Sequence, residues 1–307
     1  MKYSVVIGAV NIDVGGASEK KLISGDSNPG RIGSSLGGVG RNIAHNMSLL
    51  GICVSLVTAL GDDSGAQRVL ESCADLGIDA SASLSVSGAS TSTYLFINDA
   101  SGDMALALSD MTIYNSLLPE FLETRLDIIN GAEVVVVDAN IPEASIIWLA
   151  ENCTAPLFCD PVSVTKAEKL CNVLGKFHTI KPNKIEAELL SGVEIADEIS
   201  LSAAADTLLS TGLNRVFISL GAAGMYAAER GMHARLSCPP TNLVNATGGG
   251  DASCAALAYA HTEGMDLVDS AAFALAAGSI AVEHKETINP NLSLESIMQR
   301  LERNEES

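Results

Sequence analysis

Three consecutive glycines and an aspartate, Gly248-Gly249-Gly250-Asp251, stand directly before the apolar run 252–258. Glycines leave backbone N–H groups bare, and bare N–H groups at the start of a helix form an anion site. A carboxylate beside an anion site is electrostatically out of place. It becomes useful if the anion is a phosphoryl group in transfer and Asp251 accepts the proton of the attacking hydroxyl. The alternative is a glycine turn with Asp251 in a first helical turn, where carboxylates are favoured in any case.

A second glycine run, Gly37-Gly38-Val39-Gly40-Arg41-Asn42, precedes an amphipathic segment that ends at Gly51. Here too a ligand could approach the main chain closely, or the run could simply initiate a helix. No Gly-x-x-x-x-Gly-Lys-Ser/Thr loop occurs, and neither run fits Gly-x-Gly-x-x-Gly.

These residues need a scaffold. Short β-branched runs over 5–10, 53–59, 134–138, 157–160, 179–181 and 216–220 predict strands. Helical periodicity is found over 42–50, 65–76, 142–151, 183–190, 200–211, 251–262 and 267–283. Continuously apolar strands separated by helices predict an α/β fold with a mostly parallel sheet covered on both faces. Three strand candidates end in Asp138, Asp160 and Lys181, at the carboxyl edge where ligands gather in such sheets. Residues 14–36 and 87–110 break the alternation. The run 91–97, the turn 98–103 and the run 104–108 predict a hairpin, and the two regions together predict a small sheet covering the site.

Composition narrows the function classes. The chain has 307 residues, 47% of them hydrophobic, with a net charge of −19. Such a chain is repelled by a phosphate backbone, so neither nucleic acid nor an anionic membrane is an expected partner. Seven cysteines without a Cys-x-x-Cys pair fit reduced thiols in a cytoplasmic protein rather than a disulfide framework or a zinc site. The first ten residues read as a buried strand rather than a signal peptide.

The two glycine runs, in this order and roughly 200 residues apart, resemble the two signatures of the PfkB (ribokinase-like) carbohydrate and nucleoside kinases. The resemblance covers essentially the whole chain. It extends to 11–14, 26–32, Asp160-Pro161-Val162-Ser163 and 181–188. It implies a single ribokinase-like kinase domain over 1–307, with a β-sheet lid formed by about 14–36 and 87–110. It also implies ATP and Mg2+ as cofactors and a homodimer through the lid. Asp251 would be the general base, with Gly248, Gly249 and Gly250 donating to the phosphoryl oxygens. The family motif has Ala where this chain has Gly249, which removes a methyl group but no backbone donor.

The resemblance also assigns the binding residues. Asn11, Asp13, Gly38 and Asn42 would hold the sugar, although Asp13 after a strand is by itself an ordinary turn residue. Ser27, Asn28, Thr93 and Met111, from the lid regions, would meet the base. Asn183 and Glu186 match an Asn-x-x-Glu motif that places phosphates and Mg2+, Glu186 acting through water; the same pair also fits a capping box. Ser219, Gly221 and Gly224 would form the nucleotide loop, and Ala276, Ala277 and Ser279 would flank the ATP base or else pack the core. Asn245 and Thr247 are the candidates for holding a monovalent cation such as K+, although relatives often carry Asp at the first position. The expected reaction is transfer from ATP to the ribose 5′-hydroxyl of pseudouridine. The alternatives are another nucleoside or ribose-like sugar as acceptor, or a non-catalytic nucleoside sensor.

Overall fold

The computed structural model describes residues 2–305. Eight strands form the central sheet, in the order Met232–Leu236, Met225–Glu229, Arg215–Ser219, Thr179–Ile180, Leu157–Asp160, Val135–Asp138, Ser4–Ile7, Val54–Val57. The last six run parallel; the first two are antiparallel additions at one edge. That edge hairpin and the helix Leu294–Glu305 are not among the predicted elements, although Leu294, Ile297, Met298 and Leu301 stand at helical spacing.

Burial on both faces explains the unbroken apolar strands. Val5, Ile7, Val135, Val137, Cys159 and Ile218 join one core, while Val6, Leu56, Val136, Phe158 and Phe217 join the other. Successive side chains of a strand point to opposite faces, so each strand feeds two helix layers.

The broken regions form a separate four-stranded sheet, in the order Gly30–Gly37, Asn11–Ser18, Thr93–Asn98, Met104–Asp110. It rises from the carboxyl edge of the central sheet, because strand Ser4–Ile7 leads straight into Asn11–Ser18. Tyr114 fixes this junction: its hydroxyl accepts from Val10 N and donates to Val10 O at 2.6 Å. No helix among the described residues is long and apolar enough to cross a membrane. All seven cysteines are free.

Candidate active site

Two helices bring the glycine runs together. Helix Gly249–Thr262 starts after Gly248, which lies at φ 88°. A side chain there would be strained and would overlap the Thr287 carbonyl. Helix Val39–Leu49 starts after Gly38, at φ 95°, where a Cβ would stand 2.5 Å from Ala9 O. At the crossing of the two helices, Asn42 Nδ2 donates to Asp251 Oδ2 at 2.8 Å. Asn42 Oδ1 is buried and has no hydrogen-bond partner among the described residues. An unpaired buried acceptor is costly, and a sugar hydroxyl would satisfy it.

Asp251 keeps some exposed surface, yet protein surrounds its carboxyl. Burial pushes the carboxyl up to about 7; the Asp160 and Asp138 charges push the same way, while the Asn42 hydrogen bond and the Lys181 charge oppose them. A carboxyl in that range suits a proton acceptor at neutral pH.

The sequence marked Asp160 and Lys181 as polar strand ends without giving them a role. They form an ion pair of 3.2 Å, both side chains less than a tenth exposed. Asp138, fully buried on the next strand, accepts from Ala9 N at 2.8 Å and Asn140 N at 2.8 Å.

On the side expected to take the sugar, Asn11 and Asp13 stand two apart on strand Asn11–Ser18 and share a face. Asn11 Oδ1 accepts from Ser92 Oγ at 2.7 Å. Burial raises the Asp13 carboxyl to about 6, with Arg41 pulling it back. The register pairs Asp13 with Tyr94 and Ser35, and Gly15 with Phe96. Paired residues share a face, so Tyr94 and Phe96 stand on the Asp13 side and Thr93, paired with Ile12, stands on the other. The expectation that Thr93 faces the site beside Asp13 is therefore corrected: its neighbour Tyr94 stands on that face. Alternation within 93–98 was visible in the sequence, but which phase faces Asp13 is set by pairing with a strand some 80 residues away.

Ser27 and Asn28 are not beside Asp13 either. The hairpin closes at Ser18–Gly30, five residues beyond Asp13, or roughly 17 Å along the strand. Asn28 ties its own loop: Oδ1 accepts from Ile23 N at 2.8 Å, and Nδ2 donates to Ile23 O and Asp26 O at 3.0 Å. Met111 lies at the lid's root, its sulfur 3.7 Å from Lys166 Nζ.

On the side expected to take the nucleotide, a cavity of about 480 Å3 is lined by Ser219, Gly221, Gly224, Gly249, Gly250 and Ser279, among others. Cys238, Thr241 and Val282 also line it and were not singled out in the sequence. Ala276 and Ala277 do not line it; both are fully buried in the core behind Gly278 and Ser279. An adjoining hollow of about 690 Å3 shares Ser219 and Gly221 and adds Asn183 and Asp197.

Asn183 and Glu186 do form a capping box: Asn183 N donates to Glu186 Oε2 at 2.8 Å and Glu186 N donates to Asn183 Oδ1 at 3.0 Å. Burial raises the Glu186 carboxyl, assisted by Asp160. Its other oxygen has no hydrogen bond among the described residues, and a hard oxygen there fits Mg2+ held through water. Asn245 is committed to its loop, its Oδ1 accepting from Thr247 N at 3.0 Å and its Nδ2 donating to Lys285 O at 3.1 Å.

Comparison with known proteins assigns the family and the fold. The model of the pfkB family carbohydrate kinases matches residues 1–294. The chain is 39% identical over 302 residues to the pseudouridine kinase of Escherichia coli (strain K12), covering 98% of this chain and 96% of that one. It is 35% identical over 301 residues to an uncharacterized sugar kinase, YeiI, of the same organism, with 97% and 83% covered. The solved structure of Arabidopsis thaliana ribokinase complexed with ribose and ATP matches with a TM-score of 0.88 at 24% identity, covering 98% and 99%. The fold is thus ribokinase-like.

Proposed function

Because this chain belongs to the pfkB family of carbohydrate kinases, and so is a phosphotransferase acting on a sugar or nucleoside hydroxyl, we propose that its reaction is phosphorylation of the ribose 5′-hydroxyl of pseudouridine by ATP. The products are pseudouridine 5′-phosphate and ADP. One observation carries the chemistry: Asp251 and Asn42, from the two glycine runs, meet at 2.8 Å beside the nucleotide cavity.

Asn42 Oδ1, Asp13 and Asn11 hold the ribose. As the 5′-oxygen bonds to the γ-phosphorus, the bond from phosphorus to the β–γ bridging oxygen breaks and Asp251 accepts the hydroxyl proton. First-turn N–H groups have no intrahelical partner, so those at the glycine run can donate to the phosphoryl oxygens as charge builds. Glu186 would hold Mg2+ through water, and the ion would supply charge neutralisation at the transferring phosphates. Ser219, Gly221 and Gly224 line the nucleotide cavity, and Asn183 places the phosphates from the adjoining hollow. We assign no charge-bearing cation ligand at 245–247, where Asn245 is neutral and already engaged.

The chain acts as one kinase domain with a lid from about 14–36 and 87–110. Identity to the pseudouridine kinase supports the nucleoside. Identity to YeiI supports a second reading, another nucleoside or a ribose-like sugar. Pseudouridine differs from uridine by an extra ring N–H. The Asp13 face of the lid carries Tyr94 and Ser35; a hydroxyl acceptor there left unpaired by uridine costs about 1–3 kcal/mol, so kcat/KM is expected to favour pseudouridine about 5- to 150-fold. An ATP-coupled assay across pseudouridine, uridine, adenosine and ribose decides. Equal use of pseudouridine and uridine rejects this specificity and leaves the second reading.

A further inference from the structure

The buried Asp160–Lys181 pair has no role in the transfer described above, yet the fold holds it at some expense. Parallel pairing of Phe158 with Thr179 and Cys159 with Ile180 sets the two side chains opposite each other at the sheet's carboxyl edge. Asp160 Oδ2 meets Lys181 Nζ at 3.2 Å, and Asp160 Oδ1 accepts from Val162 N at 2.9 Å. Val162 sits at φ 68°, a region that β-branched residues avoid. Strain of this kind persists where the surroundings enforce it and gathers at functional sites. Buried ion pairs are weak contributors to stability, and apolar replacements often do as well.

Lys181 also lies against the glycine run: a Cβ on Gly250 would stand 3.5 Å from its Nζ. The charges around Asp251 come from three directions. Asp138 and Asp160 lie at the strand ends and disfavour its ionised form; Lys181, beside them, favours it. Asn42 donates from the facing helix. Cys254, on Asp251's own helix, has a buried thiol held up well above its usual range. Glu186 adds negative charge to the Lys181 surroundings from its own helix.

We propose that Lys181 is a positioning residue for the transfer: its ammonium, locked by Asp160 against Gly250, offsets the Asp160 and Asp138 charges and keeps Asp251 available as a proton acceptor. This rests on the reading of Asp251 as the base.

The test is the acidic limb of the kcat–pH profile. Lys181→Met is expected to move that limb upward by about one pH unit or more, so that kcat at pH 7 falls about fivefold or more and recovers at high pH. Lys181→Arg should restore much of the original position. In Asp160→Asn/Lys181→Met both charges are gone, and the limb should return to the wild-type position or below. A Lys181→Met limb that does not move, with kcat lowered equally at every pH, overturns the proposal. If circular dichroism shows Lys181→Met unfolded, the double variant carries the test, and a limb above wild type rejects it. Asp251→Asn separates the two ideas: if it abolishes turnover while the Lys181→Met limb stays put, only the role of Lys181 fails; if it stays active, the base assignment fails as well.

Discussion

Asn42 Nδ2 reaches Asp251 Oδ2 at 2.8 Å across a sequence separation of 209 residues. That hydrogen bond favours the ionised carboxylate, while burial opposes it. Asn42→Ala removes the bond and also an acceptor for the sugar. A hydrogen bond of ~1 kcal/mol corresponds to about 0.7 pH unit. The acidic limb of kcat should therefore rise by about that amount, with a higher KM for the acceptor and an unchanged KM for ATP. A variant whose pH profile overlays the wild type would show that the contact does not govern the base.

Asp251→Asn changes only the proton acceptor. We expect kcat to fall about 10²- to 10⁴-fold with ATP affinity kept. Stability should move the other way. The folded carboxyl, raised to about 7 from an ordinary 3.8, binds its proton more tightly than the unfolded chain does. Its stabilising contribution is therefore full below about pH 4 and is lost as pH rises towards 7. Asn mimics the protonated form, so the Tm of the variant minus that of the wild type should grow between pH 5 and 7 and level off above. A difference that stays flat with pH would contradict the raised carboxyl.

Neighbouring glycines should respond differently to alanine. Gly248→Ala forces a side chain to φ 88° and onto the Thr287 carbonyl, and should cost about 1–3 kcal/mol of stability in denaturant melts. A methyl group on Gly249 would stand 2.8 Å from Val282 Cγ1 and at an ordinary contact distance of 3.4 Å from Gly278 O, and Val282 lines the cavity beside the glycine run. Gly249→Ala should raise KM for ATP with little loss of stability, and Val282→Ala should relieve it. Equal destabilisation by both glycine substitutions would mean that the backbone, not Val282, sets the requirement.

The lid's outer face is apolar and bare. Leu95 pairs with Leu108 and Ile97 with Leu106, on the face away from Asp13; Ile32 is 83% exposed, Leu108 62% and Leu106 55%. A patch of this kind fits a second copy of the chain. Leu106→Lys/Leu108→Lys should shift the protein to monomer in sedimentation velocity. A wild type that sediments as a monomer at micromolar concentration removes the lid dimer.

Lid movement has its own signature. The segments 14–36 and 87–110 should exchange amide hydrogens fastest in the ligand-free protein and gain protection when the nucleoside is added. Full protection before ligand is added would mean a fixed cover.

The sequence by itself determined the layered α/β fold, since continuously apolar strands alternating with helical periods allow little else. Although Asn42 was singled out by the family resemblance and its meeting with Asp251 was set by the fold, the sequence also placed the two glycine runs at helix starts, because glycine before a helix is a local signal. The capping box of Asn183 and Glu186 was legible for the same reason, its partners being three residues apart. Long-range pairing decided the rest. Tyr94, not Thr93, stands on the Asp13 face because the phase of a strand is set by its partner's register. Ala277 fell behind Gly278 and Ser279 because the rotation of a helix uniformly rich in small apolar residues is fixed only by what packs against it. Asp160 and Lys181 were visible as strand ends, but their ion pair against Gly250 exists only because parallel pairing stacks two strands edge to edge. Electrostatics in a buried site depends on distances between segments that no local sequence pattern encodes.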